Sequence, residues 1–423
     1  MTRVDFTLLQ LPVGQGGFHA GWLEIRKPSK HTGRFNGGPK FLWVYDCGSD
    51  QLTSLKREIR KFQDVHINML FLSHLDDDHI SGVDTLLHTA SQVDEVVLPY
   101  LGETDWALHL AASAVSGSLS GNIIDLAADP AEWFGSRGVK RITYIRTGEE
   151  GEDAPSAPDS IDPSEPDLER PKDHAESEES PIIRKWTGSS QAATAGTEGG
   201  KRAEVFIASR GSVASTQITG GTLNWLLSPF AFGPSAIKLA TFQKMLDGEF
   251  GNGLTAKSYA NRARTSAGRK KLRLCYNAVW KTHNLHSMAL YTGPAIPAAS
   301  KRSNTAWQGN LLRRVVQPGW VSTGDFDFSV KKRRDQLITY YSPYSGMVGQ
   351  LTLSHHGSDL SFHPAVLSAY PDLTFAVASV GANSYGHPGL GTQAAVNAVP
   401  RVAFSRVDES ATSLFKVTGQ VKS

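Results

Sequence analysis

The chain has 423 residues, with 43 Lys+Arg against 41 Asp+Glu, and 40% of it is hydrophobic and 20% charged. That balance excludes a wholly disordered protein, and no apolar run reaches the ~18 residues of a membrane-spanning helix. Two cysteines, Cys47 and Cys275, exclude a disulfide framework. A soluble cytoplasmic protein without membrane insertion is therefore expected. Met1 to Leu11 lacks the charged start and apolar core of a signal peptide and reads as a first strand.

Period-two patterning and turn residues predict strands over Val4–Leu11, Gly21–Ile25 and Phe41–Asp46. A helix is expected over Ser54–Phe62, a buried strand over Asn68–Leu72, a helix over Gly82–Ala90 and a strand over Glu95–Pro99. Beyond residue 100 the pattern becomes irregular. Arg202–Ala208 and Thr222–Ser228 resume as strands, and Ser235–Leu246 reads as a helix. Late strands are expected at Leu272–Val279, Ser287–Tyr291, Trp320–Ser322, Gly349–Leu353 and Leu373–Ser379. This gives two α/β halves, 1–100 and 271–423, separated by an insertion over 101–270.

Charge is unevenly spread. Residues 149–179 hold 13 acidic side chains against Arg170 and Lys172, with five prolines. Such a stretch cannot bury a core. Together with the Gly/Ser/Ala/Thr-rich run that follows, 149–200 is expected to be disordered or a long exposed loop. A solubilising linker is the plain reading, and a flap competing for the basic region is the other. From Ala256 to Tyr340, 16 Lys/Arg stand against Asp325, Asp327 and Asp335, a net of +13. This block is either a solvated face or a surface for a polyanion such as nucleic acid. Trp280, Trp307, Trp320, Tyr340 and Tyr341 are interleaved with it and can stack on bases, although such aromatics more often serve a core.

The chemistry concentrates where apolar strands end. After Phe71-Leu72-Ser73 the chain releases His74, Asp76, Asp78 and His79 within six residues. Imidazole and carboxylate are the natural ligands of zinc or manganese, and alternate residues of an extended loop share a side. Asp46 ends another strand, where it can orient a ligand histidine from behind or simply begin a turn before Gly48.

His74-x-Asp76-x-Asp78-His79 resembles the HxHxDH signature of the metallo-β-lactamase fold. Asp at its second position is similar to the soluble hydrolase domain of the ComEC competence family. Val13-Gly14-Gln15-Gly16, Val44-Tyr45-Asp46-Cys47-Gly48, Thr323-Gly324-Asp325, Ser354-His355-His356-Gly357-Ser358 and the Ser379–Pro388 segment resemble further motifs of that branch, in order. The resemblance covers about residues 1–100 and 275–400. It implies an αββα sandwich of two β-sheets flanked by helices, and a hydrolase holding two divalent metal ions, zinc or manganese. His74 and Asp76 would serve one ion, Asp78 and His79 the other, with Asp325 between them. One of His355 and His356 would bind metal, with His356 favoured, and the other would face the substrate phosphate. His387 would line the site as a ligand or a phosphate-contacting proton donor. Asp78, His356 and His387 are thus the expected catalytic residues. The implied substrate is DNA, the alternative a small phosphodiester, nucleotide or other small molecule. Without a membrane channel of its own, such a chain is expected to work with a partner protein or in a stand-alone role.

Two features depart from that pattern. Gly17 stands where the resembling sequences carry Asp, with His19 nearby. The third histidine motif of many such enzymes is missing. Asn284 and Ser287 fit the branch's pattern there, and His283 and His286 are candidate ligands whose spacing decides nothing.

Overall fold

Phe41, Trp43 and Tyr45 belong to one apolar core, while Leu42 and Val44 belong to another. Both faces of the strand Lys40–Tyr45 are therefore buried, and the alternation follows from the two-residue period of a strand. The same division runs through the molecule. The computed structural model describes residues 3–28, 35–36, 38, 40–148, 182–187, 190–194, 201–218, 221–280, 285–295 and 304–421. They form an α/β fold with two mixed sheets and twelve α-helices among the described residues.

The larger sheet has 12 strands. Its centre runs Phe415–Val421, Arg3–Gln10, His19–Pro28, Lys40–Tyr45, His66–Phe71, Gln92–Pro99, Arg141–Ile145 and Glu204–Ala208. From Lys40–Tyr45 to Glu204–Ala208 neighbouring strands are parallel. The smaller sheet has eight strands. Four of them, Gly319–Ser322, Val348–Thr352, Phe375–Ser379 and Ala403–Val407, also run parallel to one another.

One core lies between the sheets and contains Phe6, Trp43 and Met69 from the first and Trp225, Leu290 and Val377 from the second. The outer face of the larger sheet is covered by helices that include Glu103–Ser116 and Ser266–Val279. The outer face of the smaller sheet packs against Lys331–Tyr340 and Leu390–Asn397.

The stretch 101–270 is woven into this scaffold. Arg141–Ile145 and Glu204–Ala208 extend the larger sheet, and Val213–Ile218 and Gly221–Phe232 extend the smaller one. Ile182–Thr187 and Ser190–Thr194 are strands inside the stretch expected to be disordered. The acidic run 149–179 lies outside the described residues. Leu272–Val279, expected as a strand, is the end of the helix Ser266–Val279. Leu272, Cys275 and Tyr276 are buried there at helical spacing, and the Thr265 hydroxyl caps the first turn by accepting from the Gly268 N–H at 3.0 Å. A short apolar run fits either period, and here the start signal at Thr265 decides.

Several described cations of the basic block are engaged within the fold. Arg264 pairs with Asp125 at 2.5 Å, Lys271 with Glu249 at 3.4 Å and Lys331 with Asp335 at 2.5 Å. Arg273 donates to the Ala114 carbonyl and Arg334 to that of Phe328. Trp280, Trp320, Tyr340 and Tyr341 are buried core residues. No helix among the described residues is long and apolar enough to cross a membrane.

Candidate metal centre

Parallel strands bring their carboxyl ends to one edge of a sheet, and that edge is where α/β proteins gather ligand-binding loops. Here both sheets do so at the same place. Asp46 follows Lys40–Tyr45, and Ser73 to His79 follow His66–Phe71. Asp325 follows Gly319–Ser322, His355 and His356 follow Val348–Thr352, and His387 lies in the loop after Phe375–Ser379.

The backbone is bent hard at these points. Asp46, His355 and His356 have positive φ angles of 58°, 49° and 57°, with Asp64 the one other described non-glycine residue of this kind. Such conformations cost of order 1–3 kcal/mol each, and they cluster where a side chain must be aimed.

Four imidazoles converge with a common orientation. His79 donates Nδ1–H to Asp46 Oδ2 at 2.8 Å, and His356 donates Nδ1–H to the Ser379 carbonyl at 2.9 Å. Ser73 gives its hydroxyl proton to Asp46 Oδ2 at 2.8 Å, so His74 donates Nδ1–H to Ser73 Oγ at 2.8 Å. His355 Nδ1 lies 3.1 Å from Ser361 Oγ. All four Nε2 atoms therefore face inward.

What they face is Asp325. Its Oδ2 lies 3.8 Å from His74 Nε2 and 3.7 Å from His355 Nε2. Its Oδ1 lies 3.1 Å from His79 Nε2 and 3.9 Å from His356 Nε2. One carboxylate thus divides its two oxygens between two pairs of histidines. Asp78 Oδ2 adds a contact of 2.9 Å to His356 Nε2 and one of 3.9 Å to His79 Nε2. Asp76 Oδ2 lies 3.7 Å from His74 Nε2.

Two groups, His74/His79/Asp325 and Asp78/His79/His356, each place their ligand atoms within 4.8 Å of one another and could hold a metal ion. The donor set fits that role. His74 Nε2 is buried without a hydrogen-bond partner, and its ring is anchored through the other nitrogen. This is how a neutral imidazole presents a lone pair to a cation.

The charges respond to this crowding. Burial works against a charge on His79, but Asp78, Asp325 and Asp46 outweigh it and raise its pKa well above the ordinary value. His356 is raised too, by Asp78 and Asp325 against the effect of burial. In turn Asp325 is held well below the carboxylate range by His355, His79 and His74, although burial opposes this. His387 is driven the other way, to about 4, first by burial and then by His355 and His356. Its ring centroid lies 5.2 Å from that of His355.

Every expected site residue, from His74, Asp76, Asp78 and His79 to Asp325, His355, His356 and His387, stands in or beside this cluster. Among the doubtful histidines, His286 joins neither group; its Nε2 pairs with Asp105 Oδ1 at 2.9 Å. His283 lies outside the described residues. His19 is buried behind the cluster with its ring 4.4 Å from Trp320, and burial lowers its pKa to about 3.

Some features carry no motif that the sequence could show. Ser73 braces both Asp46 and His74. A recess of about 290 Å³ adjoins His74 and Asp76, lined by His109, Tyr276, Leu285 and His286. Its walls come from the helices Glu103–Ser116 and Ser266–Val279 and from the segment before Ser287–Pro294, far apart in the chain. No family model matches this chain, and no curated protein matches it.

Proposed function

We propose that the protein is a two-metal hydrolase of phosphodiester bonds, built on a metallo-β-lactamase-type αββα sandwich and acting on DNA. The observation that carries this reading is Asp325, whose oxygens are split between His74/His355 on one side and His79/His356 on the other. A carboxylate so placed suits two cations side by side. His74, Asp76 and His355 would share one ion with Asp325 Oδ2; Asp78, His79 and His356 would share the other with Oδ1.

When bound, divalent ions would supply an acidified water as nucleophile and would offset the charge that grows on a phosphate in its transition state. The rest belongs to the chain's own residues. Asp46 and the Ser379 carbonyl hold His79 and His356 in the tautomer that exposes Nε2. His387, kept neutral at its position beside His355 and His356, can offer an N–H to a phosphate oxygen. A donor set of four imidazoles and three carboxylates suits zinc or manganese.

A small phosphodiester is the second reading. It is favoured by the recess beside His74 and Asp76, and by the basic block's many internal partners. The test is hydrolysis of single-stranded DNA, duplex DNA and methyl p-nitrophenyl phosphate with added manganese or zinc, in wild type, Asp78→Ala and Asp325→Asn. Metal-dependent cleavage of DNA that both substitutions abolish supports the reading. Turnover of the small diester alone transfers it to the second substrate class. No metal-dependent turnover of any diester refutes it.

A further inference from the structure

Tyr385 belongs to a motif noted in the sequence, yet the metal centre does not use it. Its side chain is 68% exposed. Its ring centroid lies 5.9 Å from that of His387, which stands 5.2 Å from His355, which in turn contacts Asp325. The aromatic face therefore sits at the mouth of the site, two rings away from its central carboxylate.

The ring is not what shapes its loop. Asn383 does that: its amide donates to the Gly381 and His387 carbonyls at 3.0 and 2.9 Å and accepts from the Tyr385 and His387 N–H groups at 3.0 and 3.1 Å. The neighbouring loop is fixed independently. Asp359 accepts from the Gly391 and Thr392 N–H groups and from the Thr392 hydroxyl. Leu360 follows Asp359 and Leu390 opens the helix Leu390–Asn397; they are 85% and 83% exposed. An aromatic ring and two aliphatic side chains are thus held out to solvent by rigid polar scaffolding. Stability gains nothing from such exposure.

We propose that Tyr385 is a stacking platform for an unpaired nucleobase next to the scissile phosphate. The inference rests on the phosphodiesterase reading and names its substrate class as single-stranded nucleic acid. A base in a duplex has its faces covered by its neighbours, whereas an unpaired base can leave the strand and lie on a tyrosine. Stacking of this kind is tolerant of sequence. Of the five aromatics interleaved with the basic block, Trp280, Trp320, Tyr340 and Tyr341 are buried and Trp307 lies under Lys416; Tyr385 is the more exposed ring and stands beside His387.

The test measures binding of a short fluorescent oligonucleotide, single-stranded or duplex, with calcium in place of the catalytic metal. Wild type, Tyr385→Ala and Tyr385→Phe are compared, and turnover of methyl p-nitrophenyl phosphate is followed with manganese. Tyr385→Ala should weaken single-strand binding about 5- to 100-fold, with duplex binding and small-diester turnover unchanged. Tyr385→Phe should retain wild-type binding. Single-strand affinity that survives Tyr385→Ala, an equal loss for both strand forms, or no single-strand binding by wild type overturns the platform. Failure to hydrolyse any diester refutes the hydrolase reading instead, and leaves the binding result to decide the role of Tyr385.

Discussion

Asp46 Oδ2 lies 2.8 Å from His79 Nδ1, and both side chains are almost fully buried. The carboxylate comes from one strand end and the imidazole from the short helix Asp77–Ile80 after the next strand, 33 residues later. The pair fixes which nitrogen of His79 faces Asp325. Asp46→Asn keeps the shape but weakens the hold on Nδ1–H. It is expected to lower metal affinity about 10- to 100-fold. Metal titration followed by calorimetry checks this, and an unchanged affinity would show that His79 is oriented by packing alone.

Proton release follows from the raised pKa values of His79 and His356. In the metal-free protein these rings hold their protons to higher pH than a free imidazole does, and a ligand imidazole must lose that proton. Metal affinity should therefore climb with pH and level off above the raised values. Calorimetry at pH 7 in two buffers of different ionisation heat should show net proton release.

The metal-free protein should have a stability maximum in pH. The raised His79 and His356 contribute stability that is complete below the unfolded value of about 6.5 and lost as pH rises through the folded one. The lowered Asp78 and Asp325 contribute stability present above about 4 and lost as pH falls through their folded values. Thermal unfolding across pH in chelator should rise and then fall. A flat profile would contradict the carboxylate–imidazole pairing.

Chelation itself should lower the melting temperature, and added metal should restore it. A ligand that binds only the folded state stabilises it by about 2.7 kcal/mol at a hundredfold excess over its dissociation constant. Asp325→Ala should abolish that metal-dependent rise. A melting temperature indifferent to chelator in the wild type would mean that the cluster holds no ion.

Gly17 gives a steric prediction. A Cβ at this position would lie 2.8 Å from His79 Nδ1 and 2.9 Å from Asp46 Cβ. The resembling sequences carry Asp here, but in this chain the space is filled by the Asp46–His79 pair. Gly17→Asp should destabilise the fold by about 1–3 kcal/mol through overpacking and should weaken metal binding with it. Denaturant unfolding and metal titration of the variant measure both effects.

Much of the site was legible because its residues sit in short segments at strand ends. His74 to His79 span six positions, and an apolar strand that stops on ligand-type side chains marks itself. Asp46 could be read as an orienting group for the same reason. The His286–Asp105 pair and the recess were not legible, because they join residues 181 positions apart on surfaces that carry no motif. The strand expected at Leu272–Val279 failed because a short window does not separate a buried helix face from a buried strand. Stacking aromatics were sought in the basic block, where charge pointed. There Trp280, Trp320, Tyr340 and Tyr341 are buried and Trp307 is 37% exposed, whereas the exposed ring beside the metal centre stands in the Ser379–Pro388 loop, and exposure is invisible to composition.

The order of the larger sheet sets a schedule for biosynthesis. Phe415–Val421 lies between Asn304–Gln308 and Arg3–Gln10, pairing with both. Of the described strands it is the last to leave the ribosome, and Arg3–Gln10 is the first. One edge of Arg3–Gln10 must therefore wait until Phe415–Val421 has been translated before it finds its neighbour. Until then a nascent hairpin of Arg3–Gln10 and His19–Pro28 carries an open row of backbone donors and acceptors, the kind of edge that chaperones shield and that premature termination leaves bare.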